Sequence, residues 1–122
     1  MSKTLIVNGT LVNEGRIFES DILINGDRIE RIDTGLSASA ADEVIDAQGR
    51  HILPGLIDDQ VHLREPGLTH KATIPSESRA AICGGVTSFL EMPNTSPATT
   101  DRSALAEKYA RAAGRSFANY AF

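Results

Sequence analysis

The sequence predicts an α/β protein in two parts, a small antiparallel β domain over residues 1–53 and a parallel α/β unit over residues 54–122. Three observations carry that reading. In the first fifty residues short apolar runs are punctuated by turn dipeptides such as Asn8-Gly9 and Asn25-Gly26, which supply the positive φ that two-residue hairpins require. After Pro54 strand-like runs alternate with stretches carrying helix start and stop signals, the pattern of a parallel sheet with crossovers. Between the two lies Gly55–Gly67, in which one strand face would be wholly polar before the chain empties into Pro66-Gly67.

The first domain is predicted from Leu5–Val7 turning at Asn8-Gly9, Ile22–Ile24 turning at Asn25-Gly26-Asp27 into Arg28–Ile32, and Val44–Ala47 turning at Gln48-Gly49 into His51–Leu53. A loop of small residues, Asp33–Asp42, separates them. In the second part, a helix starts at Thr73 as N-cap with Pro75 in its first turn and stops at Gly84-Gly85. The strand Val86–Met92 follows and empties into Pro93-Asn94-Thr95. The next helix is capped by Thr100 or Asp101 and stopped by Gly114; Leu105 and Tyr109 share a face, and Glu107 precedes Arg111 by one turn. Lys108 and Arg111 suit the negative end of its dipole. Ser116–Phe122 reads as a third strand.

Along Gly55–Gly67 side chains alternate, so Asp58, Gln60, His62 and Arg64 share one face and Ile57, Asp59, Val61 and Leu63 the other. A solvated edge strand would show the same pattern. In an α/β barrel, however, reactive groups sit where strands empty into loops, and His62, Arg64 and Asn94 fall at such positions.

Composition narrows the field. With 41% hydrophobic residues the chain can bury a core. A net charge of −4 offers no footprint for nucleic acid or an anionic membrane, and no apolar run suits a signal peptide or a membrane span, so a cytoplasmic location is expected. Cys83 is the one cysteine, which excludes an internal disulfide and a cysteine-based zinc cluster; among Ala81, Ile82 and Gly84 it reads as a buried small hydrophobe.

From Leu53 to Gly67, and again at Met92-Pro93-Asn94-Thr95, the chain resembles the dihydroorotases of the amidohydrolase superfamily. Arg64 after the last histidine of the motif and Asn94 after Met-Pro are the features that separate this resemblance from hydantoinases and allantoinases. It implies a small β-sandwich-like domain followed by the first βα units of a (β/α)8 barrel, incomplete here because such a barrel needs roughly 250 residues. It also implies metal-assisted hydrolysis of a cyclic amide, the interconversion of dihydroorotate and N-carbamoyl-aspartate in pyrimidine synthesis, with zinc as the expected cofactor. On that resemblance His62 is a metal ligand, and Arg64 and Asn94 bind the carboxylate of a small anionic substrate. Arg64 has the planar fork for that task.

One position departs from the family pattern: Gln60 stands where the first metal-binding histidine is placed. A neutral amide oxygen holds zinc less well than imidazole. Three outcomes stay open: a site with fewer protein ligands, recruitment of Asp58 or Asp59, or loss of the metal. Asp58 suits a supporting role next to the ligands. His51 and His70 match no ligand position. The remaining catalytic groups of the family have no counterpart in these 122 residues, so no catalytic residue is assigned and the fragment alone is expected to be inactive and to self-associate through open sheet edges. The alternatives are a catalytically silent homologue serving as a structural subunit and a sister cyclic amidase such as a hydantoinase.

Overall fold

The computed structural model describes residues 2–122 and divides into two compact units, one reaching to Pro54 and the other running Gly55–Phe122. In the first, β1 (Lys3–Asn13), β2 (Arg16–Asn25), β3 (Arg28–Asp33), β4 (Glu43–Asp46) and β5 (His51–Ile52) form one five-stranded sheet of order β3-β2-β1-β4, with β5 also beside β1. Leu5, Leu11, Ile22, Leu23 and Ala47 are its buried apolar residues, the four larger side chains each contributing about 2 kcal/mol by leaving water.

Two expectations are corrected in this unit. The sheet is mixed rather than antiparallel, because β4 and β5 both pair with β1 in parallel. Asn8-Gly9 is not a hairpin turn. The strand runs through it as a bulge, with the β1–β2 register shifting between Ile6 and Gly9 and Asn8 at φ 56°. The bulge serves β4 and β5: Asn8 Nδ2 donates to Asp46 Oδ1 at 3.0 Å, the Gly49 N–H donates to the Asn8 carbonyl at 2.7 Å, and a Cβ on Gly9 would collide with the Ile52 side chain. The hairpin turn lies at Glu14-Gly15, with φ of 50° and 71°; two successive positive φ values match the twist of the flanking strands.

The second unit holds β6 (Leu56–Val61), α1 (Ile74–Cys83), β7 (Val86–Glu91), α2 (Arg102–Ala112) and β8 (Asn119–Ala121). The three strands pair in parallel in the order β6-β7-β8. Both helices start as their caps require. Thr73 Oγ1 accepts the Ser76 N–H at 3.2 Å while Ser76 Oγ accepts the Thr73 N–H at 3.0 Å, a reciprocal capping box. Asp101 Oδ1 accepts the Ala104 N–H at 2.9 Å. The core is Leu63, Ile74, Phe89, Ala112 and Ala118, bordered by Val61, Ala81, Tyr120 and Phe122. The Tyr109 ring, 5.0 Å from that of Phe122 in an edge-to-face contact, extends it outward.

Here too some expectations change. Cys83 is exposed, since the last turn of α1 carries it on the outer side. The third strand is shorter than Ser116–Phe122, because Ser116 Oγ donates to the Ala118 carbonyl and the Phe117 N–H donates to Ser78 Oγ, which hold its start off the sheet. Lys108 does not serve the end of the α2 dipole; it is 1% exposed and turned inward, as described below. Among the described residues no helix is long and apolar enough to cross a membrane.

Candidate functional site

β6 leaves the sheet earlier than simple alternation predicts. Its register against β7 shifts between Asp58 and Val61, and the strand ends at Val61. The single polar face from Asp58 to Arg64 is therefore broken: Ile57 is 71% exposed while Leu63 is 3% exposed, although both belong to the same predicted face. His62, Leu63 and Arg64 continue as irregular backbone, and Arg64 takes φ 67°, a left-handed conformation that is uncommon for a residue with a Cβ.

Backbone and side chains fix this segment closely. The Met92 N–H donates to the Val61 carbonyl at 3.0 Å, and two residues on, the Leu63 N–H donates to Glu91 Oε1 at 3.1 Å. The Arg64 carbonyl accepts the Leu68 N–H at 3.0 Å. Glu65, 5% exposed, turns back to cap α1 by accepting the Ile74 N–H at 3.0 Å, and its two oxygens receive Arg115 Nη1 and Nη2 at 2.7 and 3.2 Å. An ion pair between Arg64 and Glu65 or Asp58 is thus not formed: Arg115 occupies Glu65, and among the described residues the Arg64 guanidinium has no carboxylate partner.

Burial pushes the Glu65 carboxyl up, but the Arg115 guanidinium and the Ile74 N–H more than offset this and hold it below the usual glutamate range. A carboxyl group depressed in the folded state contributes stability above its unfolded pKa, about 4.5, and loses it as pH falls through the lower folded value. Acid titration of unfolding free energy is expected to show this loss below about pH 4.5. Glu65→Gln should flatten that part of the profile; an unchanged slope would remove Glu65 from the account.

His62 and Asn94 come together. Nδ1 of His62 lies 2.9 Å from Oδ1 of Asn94. With the amide oxygen as acceptor, the contact is a hydrogen bond when Nδ1 carries the proton, the tautomer that leaves the Nε2 lone pair free. Asn94 Nδ2 has no partner among the described residues and remains a donor. Arg64, half-buried, stands two residues from His62 at the mouth of the same loop. Gln60 and Asp58 are both exposed, and the Asp58 carboxylate accepts the Gln60 backbone N–H at 3.1 Å; Asp58 lines one cavity together with His62.

A structural or catalytic zinc needs three or four protein ligands. Among the described residues no group of three His, Cys, Asp or Glu side chains is placed to hold a metal ion. One imidazole nitrogen and a neutral Gln60 do not fit a zinc centre by themselves.

Two ion pairs border this segment, Glu65 with Arg115 and the buried Glu91 with Lys108, and the sequence alone did not point to any of these four residues. The signal for Lys108 was present: it lies on the stripe of Leu105 and Ala112, three residues after one and four before the other, where the apolar face of a helix should be.

A family model described as Dihydro-orotase-like matches residues 49–120, more than half of the chain. The dihydroorotase of Staphylococcus epidermidis is 49% identical over 94 residues, covering 76% of this chain and 22% of that protein. The dihydroorotase of Pelobacter propionicus is 46% identical over 113 residues, covering 91% and 26%. Among solved structures, the L-hydantoinase (dihydropyrimidinase) of Arthrobacter aurescens superposes with a TM-score of 0.86 at 34% identity, over 99% of this chain and 27% of that one. The dihydropyrimidinase of Brevibacillus agri gives 0.85 at 36% identity, over 98% and 26%. The chain spans about a quarter of the length of these relatives. The matched region contains β6, β7, both loops and the residues they present, and with it the chain belongs to the dihydroorotase-like family of cyclic amidohydrolases.

Proposed function

We propose that this chain is the opening portion of a (β/α)8 barrel that hydrolyses the ring amide of dihydroorotate reversibly, and that its own share of the work is substrate binding. The observation that carries this reading is the meeting of His62 and Asn94 at the ends of adjacent parallel strands, with Arg64 two residues from His62 and without a carboxylate partner among the described residues. Strand ends of this kind are where barrel enzymes gather reactive groups.

Arg64 would hold the substrate carboxylate through two parallel N–H donors. Asn94, its oxygen committed to His62, can add an Nδ2 donor to the same carboxylate. His62 is held with Nδ1 protonated, which leaves Nε2 to face the reacting end of the ring. Activation of water and polarisation of the carbonyl, the chemistry zinc supplies where a complete site exists, lie outside the share of these three residues.

The test is turnover of dihydroorotate and of a substituted hydantoin by the polypeptide that carries this segment. Arg64→Met is expected to raise KM for dihydroorotate by about 10–100-fold, the worth of a lost charged hydrogen-bond pair, and to affect a hydantoin lacking a carboxylate far less. Equal effects on both substrates would overturn the assignment of Arg64. Turnover of the hydantoin alone would favour the sister activity, and no turnover of either, with Gln60 at a ligand position, would favour the silent subunit.

A further inference from the structure

The segment carrying His62 and Arg64 has left the sheet, so ladder hydrogen bonds no longer hold it. The last of them is the Met92 N–H to the Val61 carbonyl. At the next ladder position a side chain takes over: Glu91 Oε1 accepts the Leu63 N–H, the one backbone donor between the two candidate residues. The other oxygen of Glu91 lies 2.6 Å from Lys108 Nζ, with the two side chains 0% and 1% exposed. Neither of those atoms has another hydrogen-bond partner among the described residues, and the ammonium also faces the Phe122 ring at 5.0 Å.

A buried ion pair of this kind is poorly explained by stability, because apolar residues of similar volume would often pack as well. Its geometry gives a better reason. The carboxylate is a charge-assisted acceptor for a backbone N–H, and the ammonium from α2 fixes the carboxylate's position. We infer that Glu91 and Lys108 are positioning residues, Glu91 setting the backbone between His62 and Arg64 and Lys108 setting Glu91. This rests on the reading of His62 and Arg64 as site residues. Their side chains leave the backbone on either side of Leu63, so a shift of its N–H displaces both.

Hydrogen exchange of the Leu63 amide, compared with that of Phe89 in the core strand, tests the positioning in the polypeptide that carries this segment. The informative variants are two double substitutions that remove the buried charge entirely, so that neither leaves an orphaned ion. Glu91→Leu with Lys108→Met removes the acceptor, and Leu63 exchange is expected to accelerate about tenfold or more relative to Phe89. Glu91→Gln with Lys108→Met restores a neutral acceptor and should return most of that protection. A merely structural role would loosen Leu63 and Phe89 together, and equal Leu63 protection in the two double variants would overturn the inference. Exchange is read without substrate, so the absence of dihydroorotate turnover would count against the proposed function and leave this result standing. Where turnover is present, the acceptor-less variant should raise KM for the carboxylate substrate more than the Gln variant does.

Discussion

Lys108→Ala is expected to destabilise the fold by about 3–5 kcal/mol, the usual cost of removing one partner from a buried ion pair. Most of that is not the lost attraction. It is the penalty of leaving the Glu91 carboxylate, 0% exposed, with the Leu63 N–H as its remaining partner. The truncation also removes the aliphatic stem that lies between Leu105 and Ala112 on the inner stripe of α2. Against a typical domain stability of about 5–15 kcal/mol, the loss would consume a large share. Denaturant unfolding checks it as a fall in midpoint at unchanged slope. Lys108→Met combined with Glu91→Leu should recover most of the loss, because it removes the charge needing compensation. A loss of less than about 1 kcal/mol in Lys108→Ala would place the pair with exposed ion pairs and contradict its burial.

What could be read in the sequence follows from what is local. The caps of α1 and α2 at Thr73 and Asp101, the stop at Gly84, and the strand Val86–Glu91 depend on signals a few residues apart, and each appears where the residue types put it. Glu107 and Arg111 pair across one turn for the same reason. The turn at Glu14-Gly15 escaped because glutamate seldom takes positive φ, while Asn8-Gly9, a strong local signal, was overridden by the approach of β4 and β5 to β1. Candidate site residues were legible as types at strand ends. Their relations were not: the pairing of His62 with Asn94 spans 32 positions, and that of Glu65 with Arg115 spans 50. Arg64 could have met Glu65 by proximity in sequence, but the left-handed turn at Arg64 and the reach of Arg115 from beyond α2 give Glu65 another partner.

The same long-range dependence makes Gly67 the most sensitive glycine in the loops. Its φ is 86°, and a Cβ there would run into the carbonyl oxygen of Ser96. That carbonyl cannot retreat freely, because the Ser96 N–H donates to the Pro66 carbonyl at 3.1 Å and ties the loop after β7 to the loop after β6. Gly67→Ala therefore meets two penalties, the backbone conformation and the collision, together expected to destabilise by about 2–4 kcal/mol. Gly114→Ala separates them: its φ is 69°, but nothing lies within 4 Å of the added Cβ, so only about 1 kcal/mol of backbone strain is expected. The two loops also carry His62 and Asn94, so prising them apart at Gly67 should break the Nδ1 contact and let the imidazole sample both tautomers. Ring nitrogen chemical shifts of His62 would report this, with Gly114→Ala retaining the Nδ1-protonated form. If Gly67→Ala is no more harmful than Gly114→Ala, or leaves the His62 tautomer unchanged, then the loop-to-loop tie does not hold the site together, and alignment of His62 with Asn94 must come from the strands beneath them.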